Sequence, residues 1–69
     1  MDAERLIYMA NQIARNLAVR GETAAIADTA EHIEQFWDPR MKAAILHTDP
    51  DRFSPVARAA IELLGQRQR

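Results

Sequence analysis

Two histidines and ten acidic residues supply most of the groups in this 69-residue chain that could do acid–base chemistry. Asp28 and His32 lie four residues apart, the spacing that places two side chains on the same face of a helix. A carboxylate–imidazole pair of this kind is compatible with general acid–base catalysis, but a surface charge pair has the same spacing and is much more common. We therefore interpret Asp28 and His32 as a surface pair.

Other kinds of reactive site have less support. The chain contains no cysteine, which excludes disulfide bonds, thiolate metal ligands and a cysteine nucleophile. His32 and His47 lack the spacing of metal-ligand motifs, neither stands in a nucleophile motif, and there is no glycine-rich phosphate-binding loop. The sequence therefore predicts no catalytic residue, no cofactor-binding residue and no metal site in this chain.

The charge balance narrows the class of partner. The net charge is −1, whereas domains that bind nucleic acid through its phosphates normally carry a clear basic excess, so nucleic-acid binding is not expected. No apolar run approaches the roughly 20 residues that a membrane helix requires. The first residues include Asp2 and Glu4 and do not resemble a secretory signal, so we expect a cytoplasmic protein without membrane contact.

The spacing of apolar residues predicts the helices that would position any functional site. Apolar residues recur at spacings of three and four, and no stretch shows the alternation that is typical of strands. Asp38 and Ser54 each precede a proline, the pattern of an N-cap followed by the first helical residue, and Gly21 marks a break. The sequence predicts one all-α domain over residues 1–69 with frayed ends, a small four-helix bundle with helices at about 2–20, 22–37, 39–48 and 55–66. The third helix is short, and Gly65 is predicted to end the fourth.

The predicted core is small. Thirteen of the apolar residues are alanine, which leaves 20 larger apolar side chains, close to the minimum for a domain that folds alone. The predicted helices carry these apolar stripes: Leu6, Ala10, Ile13 and Leu17; Ile26, Ala30, Ile33 and Trp37; Met41, Ala44 and Ile45; Val56, Ala57, Ala60, Ile61 and Leu64. A core of this size without disulfides indicates that a partner chain contributes to stability.

Several side chains fall outside these stripes. Tyr8, Asn11 and Gln12, with Arg15, share the opposite face of the first helix. A solvated polar face is the commoner interpretation, and hydrogen bonds to the backbone of another chain are the alternative. Leu46 and Leu63 also lie off their helices' stripes, which favours a second buried surface.

The second helix carries two adjacent aromatic residues. Phe36 lies in a row with Asp28 and His32, alongside Ala25 and Thr29. Because Phe36 and Trp37 point about 100° apart, one narrow core cannot bury both. Either they fill two neighbouring seams, or one of them is exposed to a partner.

The segment HIEQFWDPRM, residues 32–41, is the most distinctive in the chain. Asp38 is expected to cap the third helix, and Arg40 to pair with Asp38, Glu34 or another chain. Together with MANQIA at residues 9–14 and Ser54-Pro55-Val56 before an Ala/Leu-rich helix, this segment resembles the delta subunit of NAD-dependent, molybdenum-containing formate dehydrogenases. The resemblance covers residues 6–64, most of the chain.

The resemblance implies a non-catalytic accessory subunit of a cytoplasmic formate dehydrogenase. In that family the alpha subunit holds a molybdenum (or tungsten) bis-pterin centre and iron–sulfur clusters, and other subunits carry FMN and further clusters and react with NAD. The delta subunit would then dock on the alpha subunit and support assembly or stability. The candidate contact residues are Tyr8, Asn11, Gln12, His32, Phe36, Trp37 and Arg40.

Two alternatives to the subunit remain open at this point. The first is a transient chaperone for molybdenum-cofactor insertion, which would hold the anionic cofactor through Arg40, Lys42 and His32. The other alternative is a self-associating helical module, a homodimer in isolation, whose exposed patch pairs with its own copy across a two-fold axis.

Overall fold

A computed structural model describes residues 2–67 of the chain. Its helical segments are α1 (Ala3–Leu17), a 3-10 helix (Ala18–Arg20), α2 (Glu22–Phe36), α3 (Pro39–Leu46), a second 3-10 helix (Pro50–Arg52) and α4 (Pro55–Arg67). The four α-helices confirm the predicted all-α architecture, and no strand occurs within residues 2–67. None of these helices is both long and apolar enough to span a membrane.

Capping side chains start the last two helices where the sequence predicts. The Asp38 carboxylate accepts a hydrogen bond from the Met41 N–H at 2.9 Å. The Ser54 hydroxyl accepts one from the Ala57 N–H at 3.3 Å. In each case the following proline is the first helical residue, where no intrahelical N–H bond is lost.

Gly21 forms the corner between α1 and α2. Its φ of +99° lies in a region that residues with a Cβ rarely adopt. Its N–H donates to the Ala18 carbonyl at 3.0 Å, and its own carbonyl accepts from the Ala25 N–H at 2.9 Å. An ion pair of 2.6 Å between Arg20 and Asp28 spans the same corner. The predicted break at Gly21 is therefore confirmed.

The core is built around α2, which packs mainly on α4 and then on α1. Small side chains fill much of this contact, because alanines on the facing helices let the backbones approach closely. The fully buried side chains include Ala25, Ala30, Ala57 and Ala60, and the larger ones are Ile33, Ile45, Leu64 and Thr29.

Burial differs from the predicted stripes at several positions, one of them on α2, where Ala25 and Thr29 are buried and Ile26 is only half-buried. On α1 the buried face is rotated towards Ile7 and Ala14, so that Ile13 is only half-buried. Phe53, which lies outside the periodic segments, is buried with 8% exposure and joins the core. Leu46 packs against the same core, so its predicted place on a second surface is wrong.

Helix α4 continues through Gly65 to Arg67, so the predicted C-cap at Gly65 is wrong. A Cβ at Gly65 would lie 3.4 Å from Cδ2 of Leu46, an ordinary van der Waals contact, so Gly65 lies where the end of α3 meets α4. Gln68 and Arg69 lie outside the described residues, and fraying of the chain ends stays a prediction.

Thr29 is a buried polar residue within α2. It is fully buried, and its hydroxyl has no hydrogen-bond partner. A buried hydroxyl without a partner costs about 1–3 kcal/mol, and valine replaces it with a methyl group of similar size. We expect Thr29→Val to raise the free energy of unfolding by about 1 kcal/mol in urea denaturation.

Thr48→Val is the matched control for that measurement. The Thr48 hydroxyl donates to the Ala44 carbonyl at 3.0 Å, so its loss should lower stability or leave it unchanged. A Thr29→Val protein no more stable than the wild type would mean that the Thr29 hydroxyl finds a partner in solution.

Candidate partner-binding surfaces

The two adjacent aromatic residues at the end of α2 point to opposite environments. The Trp37 side chain is 5% exposed and belongs to the core, whereas the Phe36 side chain is 72% exposed. The structure therefore shows which of the two rings is buried, a point that the sequence left open. The Trp37 ring packs within this chain, and its role as a contact residue stays a prediction.

His32 lies beside Phe36 on the exposed face of α2. Their ring centroids are 4.9 Å apart with an interplanar angle of 39°. Asp28 is bound by Arg20 and not by His32, so the predicted Asp28–His32 pair is wrong. Ala25 and Thr29, expected alongside this row, are buried instead. Within residues 2–67 no carboxylate forms an ion pair with His32.

Arg40 lies in the first turn of α3 and is exposed. Both carboxylates proposed to pair with it are engaged elsewhere: Asp38 caps α3, and Glu34 lies 3.9 Å from Arg67. Lys42 donates to the Glu34 backbone carbonyl at 3.3 Å. Within residues 2–67 no carboxylate pairs with Arg40, which leaves its guanidinium available to another chain. We call His32, Phe36 and Arg40 the α2–α3 surface.

A second candidate surface is a groove between α1 and the start of α4, which we call the α1–α4 groove. Its volume is about 580 Å³, and residues lining it include Tyr8, Gln12, Arg15, Ala18, Pro55 and Val56. Tyr8 is 63% exposed, and its hydroxyl accepts a hydrogen bond from the Gln12 amide at 3.0 Å. The predicted polar face of the first helix therefore forms one wall of a concave surface.

Asn11 also borders this groove, but its amide is used within the chain. Its Nδ2 donates to the Arg52 carbonyl at 3.3 Å, and its Oδ1 accepts from the Ser54 N–H at 2.9 Å. The backbone groups that Asn11 binds belong to this chain, whereas the hydrogen bonds to another chain's backbone stay a prediction. Asn11 thus joins α1 to the segment that precedes α4.

Within the described part of the chain, almost all carboxylates have a partner, whereas several arginines do not, a difference that the sequence did not reveal. Nine of the ten carboxylates have partners within the chain, and Glu22 is the exception among residues 2–67. The carboxylates that cap helices are Asp2, Asp38 and Asp49, those paired with arginine are Glu4, Asp28, Glu34, Asp51 and Glu62, and Glu31 accepts from Gln35.

The arginines divide into paired and unpaired groups. The hydrogen bond between Arg52 and Glu4, with the attraction of their charges, raises the pKa of the Arg52 guanidinium. Within residues 2–67, Arg5, Arg15 and Arg40 pair with no carboxylate. Two of these three arginines, Arg15 and Arg40, lie on the two candidate surfaces.

The described part of the chain contains no group of three or more His, Cys, Asp or Glu side chains placed to hold a metal ion. Within residues 2–67, no hydrogen bond, ion pair or ring contact joins a residue of the α2–α3 surface to a residue of the α1–α4 groove. The seven predicted contact residues thus separate into two surfaces and two structural positions, Asn11 and Trp37.

Comparison with known proteins identifies a family. A family model described as the NADH-dependent formate dehydrogenase delta subunit FdsD matches residues 5–61. Neither the characterised proteins nor the solved structures provide a match. The matched region includes every predicted contact residue and most of the four helices.

Proposed function

The chain belongs to the family of NADH-dependent formate dehydrogenase delta subunits, and on this premise we propose that it is a non-catalytic subunit that docks on the catalytic alpha subunit. We place this complex in the cytoplasm. The molybdenum or tungsten bis-pterin centre, the iron–sulfur clusters, FMN and the NAD site are assigned to its partner subunits, as the family implies. The role of this chain is to support assembly or stability of that complex.

Phe36 is the observation that carries the docking proposal. Transfer of its largely exposed ring from water into an interface would contribute about 1.5–3 kcal/mol. The tilted contact with the His32 ring restricts Phe36 before binding, which lowers the entropy cost of holding it in a complex. Arg40 follows four residues later without a carboxylate partner, and aromatic residues and arginine are the types enriched at the centres of interfaces.

The non-catalytic role is supported by how the acid–base groups are used. Asp28 is bound to Arg20, His32 contacts the Phe36 ring, and Asp38 caps a helix. A subunit that binds only the folded partner stabilises it by mass action, by about 2.7 kcal/mol when its free concentration is 100 times Kd. Support of the complex therefore requires contact area and affinity but no reaction on this chain.

Phe36→Ala tests the docking surface. The variant should bind the co-expressed partner subunits at least about tenfold more weakly, because loss of an interface aromatic commonly costs 2 kcal/mol or more. Retention of the chain in the purified complex, measured against the catalytic subunit, gives the result. The urea midpoint of the isolated variant should match that of the wild type.

Val19→Ala is the control, since Val19 is 89% exposed but lies on neither candidate surface. Its retention should equal that of the wild type. Full retention of Phe36→Ala would contradict docking through the α2–α3 surface.

Stoichiometry separates a subunit from a transient chaperone. A subunit is retained at a fixed ratio in the cofactor-loaded enzyme, whereas a chaperone is present only on the cofactor-free partner. A chaperone that holds the anionic cofactor through Arg40, Lys42 and His32 would also bind the isolated pterin nucleotide in a titration. Sedimentation of the isolated chain tests the homodimer, which a concentration-independent monomer excludes.

A further inference from the structure

The α1–α4 groove is separate from the docking surface centred on Phe36. We propose that this groove binds a segment of a partner subunit in which an acidic side chain lies next to a large apolar side chain. This inference rests on the proposed function, because the complex supplies the segment. It adds a second contact and states the chemistry of what that contact recognises.

The apolar side chain is inferred from the walls and size of the groove. Ala14 on α1 and Ala18 at the start of the following 3-10 helix are small, and Pro55 and Val56 from α4 complete the apolar lining. The volume of about 580 Å³ lies within the range of clefts that bind drug-sized molecules, so a large apolar side chain fits. The hydrogen bond between Gln12 and Tyr8 holds one wall in place, so the groove exists before the segment arrives.

The acidic side chain is inferred from Arg15. This residue lines the groove, and no carboxylate pairs with it within residues 2–67. A guanidinium covered by a partner loses its water and must be paired to avoid a large penalty. The partner segment is therefore expected to place a carboxylate against Arg15.

A second copy of this chain fits the groove less well. Nine of the ten carboxylates are already engaged, and the free one, Glu22, lines the groove itself. A two-fold contact that exchanged Arg15 and Glu22 would bring two concave surfaces together and leave both apolar floors unfilled. In the proposed complex, Glu22 instead accepts hydrogen bonds from donors of the bound segment.

Charge reversal at Arg15 tests the ion pair. Arg15→Glu should lower the affinity of the full chain for the co-expressed partner subunits at least about tenfold, because like charges would then face each other. Arg5→Glu is the matched control: Arg5 lies on the same helix, has no carboxylate partner in the described part of the chain, and does not line the groove. Its affinity should stay within about twofold of the wild type.

A second variant separates loss of the ion pair from a loss of binding caused by destabilisation of the fold. Arg15→Gln keeps the helix propensity but removes the charge and shortens the side chain, and should show a smaller loss of affinity in the same direction. Equal binding by Arg15→Glu and Arg5→Glu, with the wild type retained, would overturn the groove inference alone. Absence of the wild-type chain from the purified enzyme would contradict the proposed function instead.

A photo-crosslinker identifies the occupant. Benzoylphenylalanine in place of Tyr8 should link the chain, within the purified complex, to a partner peptide with Asp or Glu next to a large apolar residue. Neutralising that carboxylate should reproduce the loss seen for Arg15→Gln. A crosslink to a second copy of this chain, to a peptide without a carboxylate, or to no other chain would overturn the inference.

Discussion

Trp37→Ala is expected to unfold the isolated domain at ambient temperature. The indole is 5% exposed and packs in the core, and truncation of such a side chain to alanine costs about 3–5 kcal/mol. Domains have total stabilities of about 5–15 kcal/mol, and chains of this length lie at the lower end because they bury a smaller share of their surface. Loss of the cooperative thermal transition in far-UV circular dichroism would report the effect.

Phe36→Ala is the natural control, because it removes an aromatic ring one residue away. The Phe36 ring is 72% exposed, so its loss should change the free energy of unfolding by less than about 0.5 kcal/mol. Trp37→Ala should therefore lose both the fold and the complex, whereas Phe36→Ala should lose only the complex. Equal stabilities of the two variants would contradict the opposite environments of the two rings.

Asn11→Ala should have the second-largest effect on stability. Its amide makes hydrogen bonds of 3.3 Å and 2.9 Å to the Arg52 carbonyl and the Ser54 N–H. Each such bond contributes about 0.5–1.5 kcal/mol, so the free energy of unfolding should fall by about 1–3 kcal/mol. Urea denaturation measures this change. Asn11→Asp keeps the acceptor for Ser54 but loses the donor to Arg52. Its free energy of unfolding should lie between those of the wild type and Asn11→Ala.

Gln12→Ala provides the comparison at the next position of α1. Gln12 is half-buried like Asn11, but its amide bonds only to the exposed hydroxyl of Tyr8. Its loss should cost less than about 0.5 kcal/mol in the isolated chain. If Asn11→Ala costs no more than Gln12→Ala, the link between α1 and the segment before α4 contributes little.

Local chemistry explains why the helix starts were predictable. The caps at Asp38 and Ser54 act on N–H groups three residues away, and Gly21 is needed for a backbone angle at its own position. Helix ends were less predictable, because they depend on distant packing. In sequence Gly65 is typical of a helix C-cap, but α4 continues past it to Arg67, and Gly65 lies against Leu46 of α3.

The parts of the site that escaped prediction depend on contacts between distant residues. The partners of Asn11 lie 41 and 43 residues further along the chain, and Glu4 pairs with Arg52 across 48 residues. Periodicity places Asn11 on a polar face but carries no information about which backbone passes that face. The exposure of Phe36 remained open for the same reason, since it depends on the direction in which the chain leaves α2.

The opposite placement of Phe36 and Trp37 also has a consequence for the lifetime of this chain in the cell. One peptide bond joins the proposed contact to the core, so a partner that holds Phe36 also restrains Trp37. Binding linkage is reciprocal: a domain that stabilises the folded state of its partner is itself stabilised by that partner. A copy left outside the complex opens more often and is exposed to proteases, whereas a bound copy is protected. Degradation of unbound copies would thereby match the amount of this subunit to that of its partner.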